Sequence, residues 1–176
     1  SATIFKSQYR GNSDEKFLPS AWDNRFIINC GGTYNMPKEW SIGAKISCIG
    51  GAPYTPYNEE LSSHKKAWDA QGRGYYDYNL YNSKRLDHFA QLDMRIDKSW
   101  YFNEWMIGIY LDIQNITGSK LKQQDALAST GILEDPMATE DEQRYIMKWI
   151  NQEVGSIIPS FGITKKKKKK EAAIND

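Results

Sequence analysis

Three things are scarce in this sequence of 176 residues: cysteine, histidine and long apolar runs. The two cysteines, Cys30 and Cys48, match no metal-binding spacing, and they fall on the apolar face of neighbouring predicted strands. They read as small packing residues, and their positions do not imply a disulfide. The two histidines, His64 and His88, are 24 residues apart with no cysteine pair nearby, so no metal centre is expected. No stretch approaches the roughly 18 apolar residues of a membrane-spanning helix. Membrane-spanning strands stay open, because their alternation of apolar and polar residues gives an ordinary average hydropathy. No signal peptide opens the chain; Ser1-Ala2-Thr3-Ile4-Phe5 already reads as a strand.

Recognisable catalytic chemistry is absent as well. The sequence holds no nucleophile elbow and no phosphate-binding glycine loop. Gly50-Gly51 and Gly72-Arg73-Gly74 read as strand-end and loop glycines. Asp93 and Asp97 flank Arg95 at strand spacing. A glycoside hydrolase needs one carboxyl of raised pKa, whereas an adjacent Arg keeps carboxylates ionised. The chain is therefore expected not to be an enzyme and to need no cofactor or metal.

Aromatic residues are plentiful: six Trp, eleven Tyr and six Phe. The net charge is +1, but six of the positive charges form one run at 165–170, and without them the balance is −5. The body is mildly acidic and the tail, 164–176, is a separate basic segment that reads as solvated and without fixed structure. No aromatic residue is interleaved with the lysines, so nucleic acid is not an expected partner.

The strongest signal has period two. Over 25–36, Phe26, Ile28, Cys30, Gly32, Tyr34 and Met36 alternate with a mostly polar set. After Pro37-Lys38-Glu39, the residues Trp40, Ile42, Ala44, Ile46 and Cys48 continue the apolar side. Pairing Met36 with Trp40 keeps both sets on one face. A second hairpin places Ala90, Leu92, Met94, Ile96, Lys98 and Trp100 beside Trp105, Ile107, Ile109, Leu111 and Ile113. A turn at Asn103-Glu104 pairs Phe102 with Trp105 and sets Arg95 opposite Asp112, a favourable charge pair on the polar face. Lys98 is the one charge on the apolar face, near the turn, where its stem can snorkel. Weaker strands are expected over 2–9 and 156–163, for a total of six.

Connections alternate between two tight turns and long loops at 10–21, 52–87 and 118–154. Outer-membrane barrels show this asymmetry, and Trp40, Trp100, Phe102 and Trp105 at the short-turn end suit an interfacial girdle. A soluble β-barrel or sandwich that turns the same face inward and binds a small apolar ligand also fits the alternation. A structural outer-membrane barrel without a transport role is a third reading.

Several strings, in order, carry a family resemblance: Pro19-Ser20-Ala21-Trp22-Asp23-Asn24-Arg25, Gly50-Gly51-Ala52-Pro53-Tyr54-Thr55-Pro56-Tyr57 and Asn82-Ser83-Lys84-Arg85-Leu86. They continue with Gln91-Leu92-Asp93-Met94-Arg95-Ile96-Asp97-Lys98, Tyr110-Leu111-Asp112-Ile113-Gln114-Asn115 and Gly155-Ser156-Ile157-Ile158-Pro159-Ser160-Phe161-Gly162-Ile163. Together they resemble the C-terminal β-barrel region of TonB-dependent outer-membrane receptors, especially those of the Bacteroidetes. The resemblance implies an all-β, antiparallel up-and-down meander of about six strands in hairpins over 1–163, part of a transmembrane β-barrel of a Gram-negative cell outer membrane. It implies energised uptake of a siderophore, cobalamin, glycan or similar solute. The expected partners are outer-membrane lipid, the N-terminal barrel and plug of the same receptor, TonB acting through that N-terminal part, and the solute. Arg25, Lys45, Asp93, Arg95, Asp97, Asp112 and Gln114 would then face lumen or plug, and Tyr54, Tyr57, Trp68, Tyr75 and Tyr76 would present aromatic surface to ligand from the loops. Family members end near an aromatic residue, and the lysine run departs from that pattern. Over 139–152, Thr139-Glu140-Asp141-Glu142 fits a capping box and Ile146, Trp149 and Ile150 have helical spacing. The resemblance favours instead an early extension of the final strand.

Overall fold

The computed structural model describes residues 1–11 and 16–167. Its frame is one six-stranded antiparallel sheet. In chain order the longer strands are β1 (Ala2–Ile4), β2 (Phe26–Met36), β3 (Trp40–Ile49), β4 (Phe89–Tyr101), β5 (Trp105–Gln114), β6 (Ala126–Leu133), β7 (Tyr145–Ile150) and β8 (Ile158–Lys167). The sheet order is β1-β2-β3-β4-β5-β8, and β6 pairs only with β7 in a separate hairpin. Neither edge of the six-stranded sheet meets the other, so among the described residues it is an open meander.

Register follows the alternation of the sequence. Met36 pairs with Trp40, and the apolar residues continue in step as Cys30 with Ile46, Ile46 with Leu92, Ile42 with Ile96 and Ile96 with Leu111. A slip of one residue would exchange the two faces, so the two-sided pattern excludes odd slips, and the tight turns select among the even ones. Arg95 lies opposite Asp112, and the Phe102 N–H donates to the Trp105 carbonyl, as the two-residue turn requires. On the polar face the Tyr110 ring lies across Gly162 of β8, where an added Cβ would collide with the ring.

The ends of the sheet differ from expectation in two places. The predicted strand over 2–9 is broken: β1 stops at Ile4, while Gln8–Tyr9 pairs with Leu18–Pro19 in the first loop. A second acceptor causes the break. The carboxylate of Asp23 takes the Ser7 N–H at 2.9 Å, drawing that backbone away from β2. At the other end β8 runs past 163, with Lys165 opposite Ile107 and Lys167 opposite Trp105. The tail therefore has no disordered start: 164–167 is ordered by pairing with β5, and 168–176 lies outside the described residues.

The loops opposite the two tight turns fold together. Two short helices, α1 (Glu59–Ser63) and α2 (Lys65–Gln71), occupy the loop between β3 and β4. Asn58 caps α1 by accepting the Leu61 N–H, and Gly72 ends α2 in the left-handed conformation that suits glycine. The α1–α2 pair docks on the β6–β7 hairpin: Lys65 donates to Gln143 at 2.9 Å, Arg144 to Ser63 at 3.2 Å and Tyr145 to Asp69 at 3.1 Å. Residues 139–152 thus form neither a helix nor an extension of the final strand. Thr139 and Glu142 close a turn, with the Thr139 hydroxyl donating to the Glu142 carboxylate at 2.9 Å, and β7 pairs back on β6.

Burial runs against the usual order. The buried polar residues are Asp23, Thr55, Ser62, Asn82 and Asn115, all outside the strands. Apart from prolines, Leu127 is the only buried aliphatic or aromatic side chain among the described residues. The apolar face of the sheet remains open: Ile28, Ile46, Ile96, Leu111, Phe161 and Ile163 are all exposed, and Leu92 and Ile109 are only half-buried. Among the described residues no second sheet or helix covers that face.

Candidate functional site

The polar face gathers most of the residues expected to line a lumen. Lys45 pairs across strands with Asp93, Arg95 with Asp112, and Asp97 with Tyr110. Lys45, Asp93, Arg95, Asp112 and Gln114 line a shallow concavity of about 420 Å³, floored by Gly31, Gly32 and Gly43. Cross-strand position does not decide the ion pairs. Arg95 turns along its own strand and grips Asp97, with donor distances of 2.7 and 2.9 Å, while its guanidinium lies 4.2 Å from the Tyr110 ring centre. The expected charge pair between Arg95 and Asp112 is thus a correct register with a different partner. Asp93 is held instead by the Gln91 amide at 2.6 Å and the Asn115 N–H at 2.9 Å. Arg25 stands apart from this group. It sits in a positive-φ turn just before β2 and adds positive potential near Asp23.

At the loop end, the meeting of three connections leaves an open cleft of about 670 Å³. Tyr54, Tyr57 and Trp149 supply its aromatic surface, and Gln123, Gln124 and Asn151 supply amides. Lys84, Arg85 and Lys122 stand among Glu59, Asp87, Asp125 and Glu153, so the lining is close to charge-neutral. Lys122 pairs with Asp87 at 3.0 Å. Tyr57 stacks on Tyr76 with ring centres 4.6 Å apart, and Trp149 tilts against Tyr57 at 5.9 Å. Burial, together with the hydrogen bond shared by the Tyr57 and Tyr76 hydroxyls, pushes the Tyr57 phenol up to about 12.

Of the five aromatic loop residues singled out in the sequence, Tyr54 and Tyr57 line the cleft and Tyr76 backs it by stacking on Tyr57. Tyr75 is engaged within the lobe: its hydroxyl donates to the Ala67 carbonyl and its N–H to the buried Ser62 hydroxyl. Trp68 sits half-buried on α2, away from the cleft lining. Trp149 is the aromatic cleft residue that sequence reasoning missed. The strand alternation Tyr145, Met147, Trp149 would have found it, but the 3.6-type spacing of Ile146, Trp149 and Ile150 obscured it.

One ion pair anchors the lobe to the sheet. Arg85 donates to both the carboxylate and the main-chain carbonyl of Asp23, and to the Gly51 carbonyl at 3.0 Å. Gly50 and Gly51 make the approach feasible, because a Cβ at either would strike the carbonyl of Asn24 or Leu86. The Ser7 N–H and the Arg85 guanidinium hold the Asp23 carboxyl below its ordinary range, against the opposing effect of burial.

At the short-turn end, aromatic side chains and lysines share the apolar face. Lys98 lies 5.5 Å from the Trp40 ring centre and 5.4 Å from that of Trp100, and its ammonium donates to the Lys38 carbonyl in the turn. Trp40, Trp100, Phe102 and Trp105 are all exposed. The cysteines are free, and they are not cross-strand partners, since Cys30 faces Ile46 and Cys48 faces Ile28. Among the described residues no three His, Cys, Asp or Glu side chains gather as a metal ion would need.

No family model matches the chain, and neither a curated protein nor a solved structure does.

Proposed function

We propose that this chain is the C-terminal barrel segment of a TonB-dependent receptor, contributing part of the wall and mouth of an outer-membrane solute importer. The uncovered apolar face carries the reading. An aliphatic surface this continuous is rarely left open in water by a monomeric soluble domain. Here it spans the strands and ends in tryptophans at the short turns, which is the distribution a lipid bilayer with two interfaces would select. The opposite face bears the charged rows, as a water-filled or plug-filled interior would require. Two free edges, β1 and β8, suit a segment that continues into other strands of a closed barrel. In this reading the N-terminal barrel, the plug and the TonB contact are supplied by the rest of the receptor, and solute meets the loop-end cleft. A near-neutral lining of aromatic rings and amides suits an uncharged or zwitterionic polar solute better than a strongly charged one.

The test is insertion of the full chain into phosphatidylcholine vesicles carrying brominated acyl chains. Tryptophan fluorescence at the short-turn girdle should be quenched, most strongly by bromines near the headgroup. A chain that stays monomeric without detergent and shows no quenching would instead hide its apolar face in a soluble fold and would refute the assignment.

A further inference from the structure

On the apolar face, three lysines lie among the tryptophans of the short-turn end. The rows across the sheet run Trp40–Lys98–Ile109–Ile163, then Trp100–Ile107–Lys165, then Trp105–Lys167. Lys165 lies 4.3 Å from the Trp105 ring centre and Lys167 lies 5.6 Å from it, while Lys98 sits between Trp40 and Trp100. Among the described residues none of the three lysines has a carboxylate partner, although Glu39 and Glu104 lie in the adjoining turns. Lys166 belongs to the same run but points to the other face, opposite Met106.

We propose that this end of the apolar face is a docking strip for anionic phospholipid headgroups, with Lys98, Lys165 and Lys167 meeting the phosphates and Trp40, Trp100 and Trp105 seated beneath them. The inference rests on the membrane reading above and adds a charge preference to it. Ring and cation have separate tasks at such a boundary. The indole fills the zone between acyl chains and headgroups, and an unpaired ammonium beside it needs an anion once bulk water is displaced. Lipid phosphate supplies that anion at the right depth, and where no choline offsets it the net negative charge of the surface adds an attraction that a zwitterionic headgroup lacks. The ordering of 164–167 into β8 matters here, because strand alternation sends only the odd-numbered lysines to the lipid side.

Partition of the full chain into phosphatidylcholine vesicles, with and without phosphatidylglycerol, reads out the preference through tryptophan fluorescence. Phosphatidylglycerol should strengthen partition, and added salt should weaken that gain. Lys165→Gln should lower the gain about five-fold, and Lys98→Met should act in the same direction. Lys166→Gln should leave it unchanged. Equal partition into both vesicle types would refute the strip while leaving the membrane reading intact. Equal losses from Lys165→Gln and Lys166→Gln would also refute it, since a disordered cationic tail does not distinguish faces. Partition into neither vesicle would remove the membrane reading and the strip together.

Discussion

Arg85 binds Asp23 twice, taking its carboxylate and its main-chain carbonyl oxygen across 62 residues of sequence. The carboxylate is almost wholly buried and the guanidinium only 23% exposed, so neither charge is free to rehydrate cheaply. Arg85→Ala leaves Asp23 buried without its counter-charge and should destabilise the fold by about 2–3 kcal/mol. Denaturant unfolding in detergent micelles measures the loss, and faster chymotrypsin cleavage near Trp22 should accompany it. Arg85→Lys should restore only part, because an ammonium lacks the planar fork that reaches several oxygens together.

The same pair gives a pH dependence of definite sign. Asp23 titrates below its ordinary value in the fold, so the folded chain binds fewer protons there than the unfolded chain. The stabilisation is complete above the unfolded carboxyl's range, about pH 4, and is lost as pH falls through the lower folded value. Protection of the Ser7 amide against hydrogen exchange should decline over that acidic window in the native chain, and Asp23→Asn should abolish the dependence.

Tyr57 makes the opposite prediction at high pH. Its phenol is raised to about 12, so above the ordinary tyrosine value the folded state keeps a proton that the unfolded state has lost. Stability at the cleft should therefore fall as pH rises from about 10 towards the folded value. Absorbance titration of the native chain minus that of Tyr57→Phe should show one late-ionising phenol.

Neighbouring residues on opposite faces test the orientation of the sheet. Ile96 lies between Ile42 and Leu111, far from either end, and Ser41 faces Asp97 on the other side. With the apolar face against lipid, Ile96→Arg should weaken folding into a bilayer by about 2–4 kcal/mol. Ser41→Arg should be tolerated, since it adds a charge opposite a carboxylate in the polar row. Equal tolerance of both substitutions in vesicle folding assays would contradict the orientation.

The four central strands and their register were legible because each has one apolar and one polar face, which excludes odd slips, and the tight turns select one alignment among the rest. Met36 with Trp40 and Arg95 with Asp112 follow from the alternation and the turns together. The loop lobe was not legible for the converse reason. Helices α1 and α2 span only five and seven residues, and their positions depend on side-chain links to a hairpin more than 70 residues away. The Thr139–Glu142 signature formed its local hydrogen bonds, but they closed a turn because the next residues found a partner in β6. Asp97 stood beside Arg95 in the sequence, but the choice between Asp93, Asp97 and Asp112 as its partner was hidden. A long guanidinium reaches along a strand as easily as across it, and strand pairing alone does not choose between them.

Tyr110 and Gly162 carry a last implication. The ring is wedged between the Arg95 guanidinium and a backbone position that tolerates no side chain. Sliding β8 by two residues either way would bring Ser160 or Thr164 beneath the ring, and each carries the Cβ that the seat excludes. The glycine thus works as a key that a single notch accepts, giving β8 one seat along its neighbour.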